Sequence, residues 1–176
     1  MQSSLCETTL NLLRNRFKRA VNDALDKPSD CVIEAKMRVS ICNIECQNRD
    51  LLNSLVEIVK ELDNCYLFHF IHWTISHFFI KHCNWERIVC MHTIVDILTK
   101  NELQHFCQGN VKEYCKYYLN SGMIEEIAGI LNDSTESWII EQGGWAKFLI
   151  KDFSSPESQN CQNHTIMQLL WLLKIY

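Results

Sequence analysis

The chain has 176 residues, 47% of them apolar and 22% charged, and a net charge of −4. That length suits one domain spanning 1–176 around a single core, and the composition excludes wholesale disorder. The mild acidity, with no basic stripe, leaves no footprint for nucleic acid, and 2 Pro with 5 Gly favour long helices over a many-turned β fold.

The opening Met1-Gln2-Ser3-Ser4 has no signal-peptide pattern. Ten cysteines without a C-x-x-C pair, the nearest spacing being Cys42-x-x-x-Cys46, therefore read as free thiols in a reducing compartment that act as small buried apolar groups. Leu10, Leu13, Phe17, Val21 and Ala24 recur at spacings of three and four and predict a first helix from Cys6 to Leu25. Asp26-Lys27-Pro28-Ser29-Asp30 ends it and caps a second, with Ile33, Met37, Ile41 and Ile44 on one face. Leu51, Leu55, Ile58, Val59 and Leu62 mark a third stripe. Tyr66 to Ile80 is the most apolar stretch, interrupted by His69, His72 and His77; below the roughly 20 residues a bilayer needs, it predicts a buried helix or two.

Asn84-Trp85-Glu86-Arg87-Ile88-Val89 has the form of a helix start, with Asn84 as cap, Trp85 and Ile88 inward and Arg87 to one side. The inward face continues through Met91, Val95 and Leu98, which makes this the expected central helix. Val111 to Leu131 is its expected hairpin partner, with a break where the apolar phase shifts at Asn120-Ser121-Gly122. Trp138-Ile139-Ile140-Glu141-Gln142-Gly143-Gly144-Trp145 reads as a short helix stopped by glycine, since Gly143 or Gly144 takes the left-handed conformation a helix end wants. Ser154 to Ser158 is predicted as loop and Ile166 to Tyr176 as a last apolar helix. Its run of about eleven residues, carrying Gln168 and Lys174, is too short to span a membrane and is expected to pack on the domain.

The two tryptophan-bearing segments resemble the homology boxes of the Bcl-2 family of apoptosis regulators. At the first box Phe79, Asn84, Trp85, Arg87, Ile88 and Val89 match, and Phe78 replaces a leucine. The box's acidic residue and first glycine are missing, and Glu86 stands where its second glycine belongs. The second box is matched in full by Trp138, Ile139, Gly143, Gly144 and Trp145, with Phe148 following at the family's spacing. The resemblance implies an all-α, Bcl-2-like bundle of about eight helices around a central hairpin, without catalysis or cofactor. It is closest in form to short, anchor-less cellular or viral-type members.

The implied function is anti-apoptotic: sequestering the amphipathic killer helix of pro-apoptotic Bcl-2 relatives in a hydrophobic groove. Groove residues implied are Asn84, Glu86, Arg87, Phe78, Val89, Cys90 and Ile94. Trp85, Trp138, Gly143, Gly144, Trp145 and Phe148 are implied as structural. Each apolar anchor buried contributes ~1.5–3 kcal/mol, and a charge-assisted bond from Arg87 to the ligand's aspartate, aided by Asn84, contributes roughly 1.5–3 kcal/mol. Glu86 is expected to narrow the ligand range through bulk and like charge. The implied place is the cytoplasm, with contact to the mitochondrial outer membrane through partners.

Protective and killing relatives share these boxes, so a membrane-permeabilising effector of the same fold stays open, as does a non-apoptotic helical adaptor. The second helix lacks the small-residue–aspartate pair of a killer helix, which favours sequestration. A metal module is weaker still: His72, His77 and His82 step by five and walk around a helix instead of converging.

Overall fold

A computed structural model of the protein describes residues 7–8, 10–15, 31–61, 67–78, 82–106 and 122–175, and their regular structure is entirely helical. We label the helices α1 (10–15), α2 (Val32–Gln47), α3 (Arg49–Lys60), α4 (Leu67–Phe78), α5 (Trp85–Phe106), α6 (Met123–Glu141), α7 (Trp145–Ile150) and α8 (Pro156–Ile175).

The boundaries follow local chemistry. Asn84 caps α5: its Oδ1 accepts the Arg87 backbone N–H at 2.8 Å. Helix α6 begins after Gly122, at φ 75°, where the apolar phase shift placed a break. It ends in a Schellman turn, with Gly144 N–H donating to Ile139 O (2.8 Å) and Gly143 N–H to Ile140 O (3.0 Å). Both glycines lie at positive φ, 89° and 78°. Helix α8 starts on Ser155, whose Oγ accepts the Ser158 N–H at 3.3 Å, followed by Pro156 and Glu157, a proline and an acid in the first turn.

Helix α5 occupies the middle of the bundle and packs against α2, α3, α4 and α8. From Ile88 to Asp96 every residue is buried, with Val89, Cys90 and Met91 fully so. One buried cluster joins Leu12 and Leu13 of α1, Met37, Ile41 and Ile44 of α2, Leu52 and Leu55 of α3, the α5 residues, Phe148 of α7 and Ile166, Leu169 and Leu170 of α8. Helix α4 lies against α6, and α7 against α2. Arg14 of α1 pairs with Glu125 of α6.

Several expected boundaries move. Helix α5 continues beyond Leu98 to Phe106, and α6 runs through Leu131 to Glu141, so the second box is the end of a long helix instead of a short one. Pro156 to Ser158, read as loop, is helical, and α8 begins ten residues before Ile166. Residues 16–25 of the expected first helix, Leu62 of the third stripe, Tyr66, Phe79 and Ile80 of the apolar stretch, and residues 111–121 of the expected hairpin partner lie outside the described residues. The thiols also depart from expectation. Among described cysteines only Cys90 is buried, while Cys31, Cys42 and Cys46 are exposed; none of the described six is in a disulfide.

Candidate functional site

Arg87 projects from the first turn of α5 into the angle between α4 and α8. Its Nη1 donates to Phe78 O (2.6 Å) and His82 O (3.3 Å), and the guanidinium lies 5.5 Å from the centre of the Phe78 ring. Its Nη2 donates to Gln168 Oε1 of α8 at 3.0 Å. The carbonyls of α4's last turn and the following segment thus hold one edge of the cation, and α8 takes the other.

Asn84 divides its amide between two tasks. Its oxygen caps α5, while Nδ2 lies 3.8 Å from Cys161 Sγ of α8. Glu86, half a turn further round, is 6% exposed and is held from both sides of the α7–α8 connection: Lys151 Nζ lies 2.7 Å from Oε1, and Ser158 Oγ donates to the same oxygen at 2.6 Å. Burial pushes this carboxyl's pKa up, but the bonds from Lys151 and Ser158 outweigh it and hold the group below its ordinary value. The negative charge expected to repel a ligand's acid is therefore compensated by Lys151. Cys90 Sγ–H points at Gln162 O of α8 (3.9 Å), and burial pushes its pKa up; burial likewise pushes Cys83 to about 12, against a smaller opposing pull from Arg87.

These contacts meet along one helix. Helix α8 packs on both α3 and α5, which also pack on each other, so it lies in the trough between them. Its buried face carries Ser158, Gln162, Thr165, Ile166, Leu169 and Leu170, and its outer face exposes Met167 (48%) and Trp171 (65%). Ser158, Gln162, Thr165 and Ile166 fall at i, i+4, i+7 and i+8 on one helix face, polar in the first half of α8 and apolar from Ile166 onward. At the α3 side Asn163 Nδ2 reaches Asn48 Oδ1 at 3.4 Å. The trough beside Arg87 is filled by the chain's own C-terminal helix.

The second tryptophan segment supports the α5 start from behind. Trp85 meets Trp138 edge-on at 5.0 Å between ring centres, Trp145 at 5.5 Å and Phe148 at 5.4 Å. The Trp138-to-Trp145 turn therefore ties the end of α6 to the beginning of α5, and Phe148 and Phe153 (5.4 Å) carry the cluster on toward α8.

Of the sequence-predicted groove residues, the structure brings Asn84, Glu86, Arg87 and Cys90 to α8, with Phe78 behind Arg87. Val89 and Ile94 are 0% and 1% exposed within the core. The partners Lys151, Ser158, Gln162 and Gln168 escaped sequence reasoning because each meets α5 from more than sixty residues away. The Ser155-Pro156-Glu157 start signal was the one local clue that α8 begins early enough to reach them. No grouping of three or more His, Cys, Asp or Glu among the described residues could hold a metal ion, and no helix among them is long and apolar enough to cross a membrane.

No known family matches the sequence, and no curated protein does. Among solved structures the chain is similar to the crystal structure of the zebrafish pro-survival protein NRZ in its apo form. The TM-score is 0.64 at 21% identity, over 85% of this chain and 93% of that one. At that identity the likeness establishes architecture: the all-α bundle has a Bcl-2-like fold.

Proposed function

We propose that this protein is a non-enzymatic, anti-apoptotic regulator that sequesters the amphipathic killer helix of pro-apoptotic Bcl-2 relatives in the trough between α3 and α5. The observation that carries the reading is α8 itself. A helix already sits in the trough, its buried face apolar from Ile166 onward and its edge on Arg87. A trough that accepts one helix has the width and the peripheral cation to accept another. The pro-survival neighbour supports the protective sign. The binding geometry is then an exchange, in which an incoming helix takes the place of α8 and its aspartate meets Arg87.

Titration of killer-helix peptides against wild type and Arg87→Ala tests this. Tight binding that drops by about tenfold or more on the substitution supports it, since a charge-assisted bond contributes roughly 1.5–3 kcal/mol. Absence of binding to every peptide would refute it. Survival of cells expressing the protein, set against dye release from liposomes, separates a protective regulator from a membrane-permeabilising effector.

A further inference from the structure

The trough and its occupant fit each other unevenly. The first half of α8 buries polar groups (Ser158, Gln162 and Thr165) where the second buries Ile166, Leu169 and Leu170. Gln162 Oε1 is buried and finds no hydrogen-bond partner among the described residues, an unmade bond that weakens the seat. At the rim Arg87 directs Nη2 to α8 and receives only the neutral amide oxygen of Gln168. That amide is oriented by His164, whose Nε2 lies 3.0 Å from Gln168 Nε2. The one acid of α8, Glu157, lies three turns away at the opposite end.

We propose that Gln168 sets the threshold at which α8 gives way, by offering Arg87 an amide where a partner's helix offers a carboxylate. The inference rests on the groove-binding reading and adds the rule that ranks occupants. The Arg87–Gln168 bond has a charged donor but a neutral acceptor; a carboxylate in place of the amide adds the attraction of opposite charges, so a helix with an acid at this position competes better than α8. A helix of equal apolar content without the acid does not. The rim is exposed, so solvent screening reduces the difference without abolishing it. Gln168 is thus a specificity-determining residue that never touches the partner.

The test uses the full chain, a killer-helix peptide of a pro-apoptotic relative and that peptide with its aspartate changed to asparagine. Two readouts are taken: affinity by titration, and amide hydrogen exchange across 158–173. With wild type, the aspartate peptide binds and accelerates exchange in 158–173, and the asparagine peptide binds several-fold more weakly. Gln168→Glu, which gives α8 its own carboxylate, lowers affinity for the aspartate peptide roughly threefold to tenfold; Gln168→Ala raises it. In an Arg87→Gln background Gln168→Glu has no effect.

Two outcomes overturn the proposal while leaving groove binding intact: unchanged affinity in Gln168→Glu, or continued protection of 158–173 in the peptide complex. If neither wild type nor Gln168→Ala binds any such peptide, the groove reading fails and the proposal with it.

Discussion

Glu86 and Lys151 place their charges 2.7 Å apart and thereby fasten the first turn of α5 to the segment that leads into α8. Ser158 completes the clasp from the first turn of α8. Glutamate at a position where the resembling box has glycine gains a structural reason: it anchors the resident helix. Glu86→Ala should lower stability by about 1–3 kcal/mol, the cost of removing a bonded partner from a mostly buried site. Chemical denaturation measures it, and amide exchange should rise first near 152–162. An unchanged midpoint would show that the clasp carries no stability.

The same clasp gives a pH dependence. The folded Glu86 carboxyl lies below its ordinary value of 4.5, so its contribution is complete above the unfolded value and disappears as pH falls through the lowered folded one. Thermal melts of wild type and Glu86→Gln should differ at neutral pH and converge below pH 4.5. A difference that persists undiminished in acid would contradict the assigned ionisation.

At the turn after α6 the two glycines have different requirements. Gly143, at φ 89°, adopts a left-handed cap, whereas Gly144 at φ 78° and ψ −172° occupies a region essentially reserved for glycine. Gly144→Ala should cost about 1–3 kcal/mol although nothing stands within 4 Å of the added carbon. Gly143→Asn should cost less, because asparagine tolerates a left-handed cap. Denaturation midpoints decide the order.

Seating of α8 is separable from integrity of the core. Ile166 is fully buried on the inner face of α8, and Phe148 is fully buried on α7. Ile166→Ala should lower stability and raise affinity for killer-helix peptides, because it weakens the competitor. Phe148→Ala should cost about 3–5 kcal/mol with no gain in affinity. Paired titration and denaturation of both variants checks the contrast.

Thiol chemistry offers a view of the same event. Exposed Cys42 and Cys46 should react quickly with a maleimide, and Cys90, fully buried beneath Gln162 with a raised pKa, should react slowly. Ile166→Ala should accelerate labelling of Cys90 and leave Cys46 unchanged. Mass spectrometry of the labelled peptides reads both rates.

What the sequence made visible is what local rules govern. Asn84 as cap, Trp85 and Ile88 as inward residues and the glycine stop after Gln142 all follow from chemistry within a few residues. The length of α8 did not follow, because its first inward positions are Ser158, Gln162 and Thr165, which interrupt the apolar periodicity until Ile166. The attachments of Glu86 and Arg87 were hidden for a different reason. Lys151, Ser158 and Gln168 reach them only after the chain has returned from α6 and α7, and spacing along the sequence carries no trace of that.

A helix lodged between α3 and α5 also dictates tempo. Under the proposed exchange no newcomer docks until the lodger has lifted away, so association with a peptide should stop accelerating at high peptide concentration and level off at the lifting rate. Any dissociation constant measured on the full chain is then the intrinsic one divided by the small fraction of molecules standing open. Modest apparent binding would understate how strongly the vacated cleft holds its guest.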